Sequence, residues 1–88
     1  MATRNSRTMF NDHAVEKGAF LWVEFDTDLW MWVMITALNG PHSVEATILE
    51  PGRDRYKQGR HMVIHLKYAR EYRSKDNPPP LWSIPRAA

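Results

Sequence analysis

The chain has 88 residues, 12 Lys and Arg against 10 Asp and Glu, a net charge of +2, and no cysteine. That length makes one domain with a small core. The missing cysteine excludes disulfides and thiolate metal sites and suits a reducing compartment. The mild net charge by itself argues for no partner. Four Trp, three Phe and three Tyr supply large apolar area per residue for such a core.

In chain order, Met1 to Thr8 is polar and without periodicity, as expected of an arm. It carries no charged-then-apolar leader, so a cytoplasmic location is expected. Met9 to Lys17 reads as one or two helical turns capped by Asn11 or Asp12, with Met9, Phe10, Ala14 and Val15 as the docking side. Gly18 then releases the chain into a strand, Ala19 to Phe25. Leu21, Val23 and Phe25 share one face and Phe20 and Trp22 the other. Asp26-Thr27-Asp28 is a polar turn into the most apolar stretch, Leu29 to Leu38.

Ten residues without a charge are a buried helix or a strand apolar on both faces. Trp30, Trp32, Val33, Ile35 and Thr36 favour the strand, as does the turn signal Asn39-Gly40-Pro41 that follows. A membrane span is excluded by length, since crossing hydrocarbon takes roughly 20 apolar residues. Trp30, Trp32 and Met34 then lie on one face and Met31, Val33 and Ile35 on the other.

Ser43 to Leu49 alternates as a half-buried strand and Pro51-Gly52 ends it. Arg53 to Gly59 is a basic loop around Tyr56. Arg60 to Tyr68 is a fourth strand, with Met62, Ile64, Leu66 and Tyr68 facing one way and His61, Val63, His65 and Lys67 the other. Ala69 to Ser74 reads as a helical turn. Pro78 to Pro80 imposes an extended tail before Leu81, Trp82 and Ile84.

These elements predict a mainly β fold: a small antiparallel barrel of about four to five strands over residues 18–75. A short N-terminal helix lies in the arm 1–17, and a Pro-rich tail spans 76–88. The expected core includes Val23, Val33, Ile35, Val44, Ile48, Met62, Ile64 and Leu66.

Met31-Trp32-Val33-x-Ile35-Thr36-Ala37-Leu38-x-Gly40, Val44-x-Ala46-x-Ile48-Leu49-x-Pro51 and Tyr56-Lys57-x-Gly59-x-x-Met62-Val63-x-x-Leu66 together resemble a group of small bacterial SH3-like barrel domains of unknown function. The sequence departs from that pattern at Leu49-Glu50-Pro51, which lacks the expected Asn, and at Arg60, which stands where an Asp should follow the Gly. The resemblance implies a fold and no activity.

No nucleophile motif or phosphate-cradling loop is present. His61 and His65, four apart on a strand, stand roughly 13 Å from each other, too far to share one ion. No enzyme, metal or cofactor is expected. Binding remains. No Lys or Arg lies between Gly18 and Gly52, whereas Arg53, Arg55, Lys57, Arg60, Lys67, Arg70, Arg73 and Lys75 follow. An aromatic stripe (Trp30, Trp32) and a basic region (Arg53, Arg55, Tyr56, Lys57, Arg60, His61, His65, Lys67), with Trp82 in the tail, are the candidate partner contacts. They predict a protein-binding adaptor or small inhibitor, with single-stranded nucleic acid as the alternative and a homodimer as one way to cover the stripe. The acidic turn Asp26-Thr27-Asp28 and the basic loop are expected at the same end of the sheet.

Overall fold

A computed structural model describes residues 8–11, 13–52 and 56–80. Among the described residues seven strands form: β1 (Met9–Phe10), β2 (His13–Ala14), β3 (Phe20–Asp26), β4 (Leu29–Leu38), β5 (Ser43–Ile48), β6 (His61–His65) and β7 (Ala69–Arg73). β1 and β2 make a small ribbon, and the other five make one antiparallel sheet in the order β6-β5-β4-β3-β7. Among the described residues no helix is long and apolar enough to cross a membrane.

The alternation read from the sequence places the core. Leu21 and Val23 of β3, Val33 and Ile35 of β4, and Val44, Ala46 and Ile48 of β5 all point inward and are buried. So are Ile64 and Leu66. Met62 is only half-buried and packs at the margin of this cluster. Burying a Leu, Ile or Val side chain contributes about 1.5–3 kcal/mol, so this single layer supplies the main drive to fold.

Four expectations are corrected. The sheet is not closed into a barrel, because β6 and β7 do not pair. The two edges nevertheless come close at one corner. A flat five-stranded sheet would separate its edges by roughly 19 Å. Only the 3-10 turn Leu66–Tyr68 connects β6 to β7, and three such residues rise about 6 Å. The sheet therefore curls strongly and leaves an open seam.

Among the described residues no N-terminal helix forms either. Met9 pairs with Ala14 and Phe10 with His13, and Asn11, at φ 49°, takes the left-handed turn position that asparagine tolerates. The ribbon is pinned by Thr8, which is buried and donates its hydroxyl to Gly40 O, and by Val15 N–H on Thr8 O at 3.0 Å.

Lastly, the expected fourth strand stops at His65, where the His65 ring accepts the Lys67 N–H and caps the 3-10 turn. The expected helical turn after it is instead strand β7, paired with β3 through Val23↔Ala69 and Leu21↔Tyr72.

β7 also meets the ribbon, where Phe10 packs against Tyr72 with ring centroids 6.5 Å apart. Burial raises the Tyr72 phenol above its usual value of 10.0, a Glu16 backbone hydrogen bond opposes that, and the Glu16 carboxylate adds to it. The folded chain thus holds the Tyr72 proton to higher pH than the unfolded chain does. The stability this contributes is complete below the unfolded value and is lost as pH rises through the folded one. In alkaline urea titrations, Tyr72→Phe should lose less stability above about pH 10 than the parent. Parallel alkaline curves for the two would contradict this environment for Tyr72.

Candidate binding surface

The face of the sheet turned away from the core carries a cluster of indoles. In the β3–β4 register Trp22 stands directly opposite Trp32, and Glu24 opposite Trp30. Side chains at i and i+2 share a face, so Trp22, Trp30 and Trp32 come together. Trp22 and Trp30 have centroids 4.9 Å apart, and Trp22 and Trp32 lie 6.4 Å apart with planes at 30°. Trp32 is only 8% exposed although it lies on the outer face, because a neighbouring indole and a guanidinium cover it.

The guanidinium comes from β7. Arg73 lies over Trp32 at 5.6 Å from the ring centre, and Arg70 over Trp30 at 5.9 Å. Both cations are also paired with carboxylates, Arg70 with Glu24 at 3.0 Å and Arg73 with Glu71 at 3.3 Å. Exposed ion pairs and cation–π contacts contribute about 1 kcal/mol or less each. Their effect here is to order the surface rather than to hold the fold. The result is an aromatic platform with a neutralised rim.

Of the residues singled out from the sequence, the structure brings Trp30 and Trp32 together. The indole and cations that complete the cluster, Trp22, Arg70 and Arg73, were not among them. Trp22 was accessible to the alternation argument, since it shares a face with Phe20. Arg70 and Arg73 were hidden by the helical reading of their segment.

Among the described residues the remaining candidates do not join the platform. His61 and His65 sit on β6, two strands away from β4. His61 Nε2 lies 2.8 Å from the Thr36 hydroxyl and 3.9 Å from Glu45. His65 stacks on His42 at 6.1 Å with planes within 7°. Lys67 extends over Tyr68 at 5.2 Å. Lys57 and Arg60 are exposed around a tight turn in which Arg60 N–H donates to Lys57 O.

Tyr56 turns inward and packs on Phe25 at 5.0 Å. That contact brings the loop after β5 to the end of the β3–β4 hairpin, the end expected for it. Arg53, Arg55 and Trp82 lie outside the described residues, as do Leu81 and Ile84.

A groove of about 560 Å³ follows the open seam, lined by Val23, Phe25, Tyr56, Met62, Ile64 and Tyr68 among others. Among the described residues no three His, Asp or Glu side chains gather where one metal ion could bind. The platform can offer flat apolar area with donors and acceptors at its rim, which is the chemistry of binding. No protein-family model, curated protein or solved structure matches this chain.

Proposed function

We propose that the protein is a non-enzymatic binding module that docks on a larger protein through Trp22, Trp30 and Trp32, framed by Arg70 and Arg73. One observation carries the reading: Trp22 packs against both Trp30 and Trp32 on the outer face of the sheet, with guanidinium groups over Trp30 and Trp32. Trp and Arg dominate the residues whose truncation most weakens protein interfaces, because they bury large rigid area and still hydrogen-bond at the edge.

Single-stranded nucleic acid is the second reading, and exposed Lys57, Arg60 and Lys67 favour it. It is the weaker one at the platform. There each guanidinium already faces a carboxylate, so a phosphate would have to displace Glu24 or Glu71. The proposed kinship of residues 31–66 with small bacterial SH3-like domains concerns the scaffold and leaves this choice unchanged.

The two readings separate by salt and by mutation. Partner capture from nuclease-treated extract of the source cells should survive raised salt. Trp30→Ala should weaken it by roughly thirtyfold or more, the loss of about 2 kcal/mol typical of an interface anchor. The triple change Lys57→Ser, Arg60→Ser, Lys67→Ser should leave it nearly unchanged. Tight binding of a labelled oligonucleotide that collapses with salt, and that Trp30→Ala does not affect, would overturn the protein-binding reading.

A further inference from the structure

β6 is an edge strand of the five-stranded sheet. Ile48 N–H donates to Arg60 O at 2.9 Å, and Leu66 N–H to His42 O at 2.8 Å. Between them Ala46 faces Met62 and Val44 faces Ile64. In an antiparallel ladder every second pair is hydrogen-bonded, so Met62 and Ile64 direct their main-chain groups at β5, as do the Arg60 carbonyl and the Leu66 N–H at the two ends. Those of His61, Val63 and His65 point the other way, toward the open edge.

The side chains of β6 itself do not cover that edge. The His61 ring is held back over the sheet by Thr36, and the His65 ring by its stack on His42. Val63 stands between them at 57% exposure, above the other exposed large apolar residues, Met9, Leu38 and Tyr68.

Natural edge strands are usually defended by Lys, by Pro, or by a bulge. The opposite edge shows such defences: β7 is bulged against β3 between Trp22 and Val23 and carries Arg70, Glu71 and Arg73. β6 has no bulge in its register with β5, no lysine and no proline.

We infer that the β6 edge pairs antiparallel with β6 of a second copy of this chain, about a twofold axis at Val63. The outer-face residues His61, Val63 and His65 read the same in both directions. An inverted copy therefore sets Val63 against Val63 of the second copy, and His61 against its His65. The same register places Met62 opposite Ile64 of the second copy, on the side of the seam groove that both residues line.

A head-to-tail arrangement, β6 on β7 of another copy, would oppose this regular apolar edge to a bulged, charged one. Backbone groups matched in this way bind a strand without any special side-chain chemistry. The pairing uses none of Trp22, Trp30 or Trp32, so it leaves the aromatic platform free on each copy.

The chain has no cysteine, so introduced ones report the register cleanly. The full chain should be a dimer by light scattering. Val63→Lys, which sets two like charges together at the axis, should be monomeric with an unchanged circular dichroism spectrum and a melting temperature that no longer rises with protein concentration, as the parent's should. Val63→Cys should form a covalent dimer under mild oxidation. His61→Cys alone should not, whereas His61→Cys mixed with His65→Cys should. A parent chain that is monomeric at every concentration overturns the inference. So does a dimer that survives Val63→Lys, or one in which His61→Cys links to itself while Val63→Cys does not.

Discussion

Ile35→Ala should remove about 3–4 kcal/mol of stability, in line with large-to-small changes at fully enclosed sites. Ile35 is fully buried in the middle of β4, opposite Ala46 of β5. It shares the buried cluster with Leu21, Val33 and Val44, all without exposed surface. Two features keep the site from collapsing around a smaller side chain. β4 is the central strand of five, and just beyond Ile35 the ladder is bulged, with the Thr36 hydroxyl donating to Glu45 O. A domain of this size typically has a total stability of only about 4–13 kcal/mol. The substitution should therefore lower the melting temperature by roughly 12–30 °C. Urea denaturation followed by circular dichroism measures the loss. A change under about 1 kcal/mol would mean that the core is not packed around Ile35 as described.

Gly52→Ala should be of similar size for a different reason. A Cβ at Gly52 would fall on the carbonyl oxygen of Tyr56 and within 2.8 Å of the Met31 sulfur. Met31 is 2% exposed, and its movement would open the core. The Tyr56 oxygen is main chain and cannot rotate aside. Making room for the methyl therefore means shifting the loop after β5, which would withdraw Tyr56 from its contact with Phe25. Overpacking of this kind costs about 2–3 kcal/mol, and more where backbone must move.

Gly59→Ala is the informative comparison. Its Cβ would meet open space, and only its φ of +88° opposes a side chain, a strain of about 1–2 kcal/mol. If the two variants melt alike, the close approach at Gly52 does not exist. If Gly52→Ala melts lower and its tyrosine emission also changes, the loop and the hairpin end are coupled through Tyr56.

The sequence alone determined the parts of this protein that follow from a period of two. β3, β4 and β5 each alternate between a buried and an outward face. Leu21, Val23, Val33, Ile35, Val44 and Ile48 were therefore legible as core, and Trp30 and Trp32 as outer-face residues. Asp26-Thr27-Asp28 and Asn39-Gly40 were legible as turns, because their backbone chemistry is local. The tertiary structure decided what depended on a distant partner.

Ala69 and Tyr72 face inward three residues apart because a bulge against β3 puts Arg70 and Glu71 together on the outside. That spacing imitates one turn of helix, and Ala, Arg and Glu favour helix locally. Only the vacant edge of β3 makes this segment a strand, and with it come Arg70 and Arg73 over the indoles. Met9, Phe10, Ala14 and Val15 mislead in the same way. Their spacing fits a helix face, but Asn11 turns the chain back, and Thr8 and Val15 are anchored by Gly40 and the core. Whether the sheet closes was beyond any local pattern. It depends on how far the curl set by β3, β4 and β5 carries β6 toward β7, and here it stops at a three-residue turn with β6 and β7 not paired to each other.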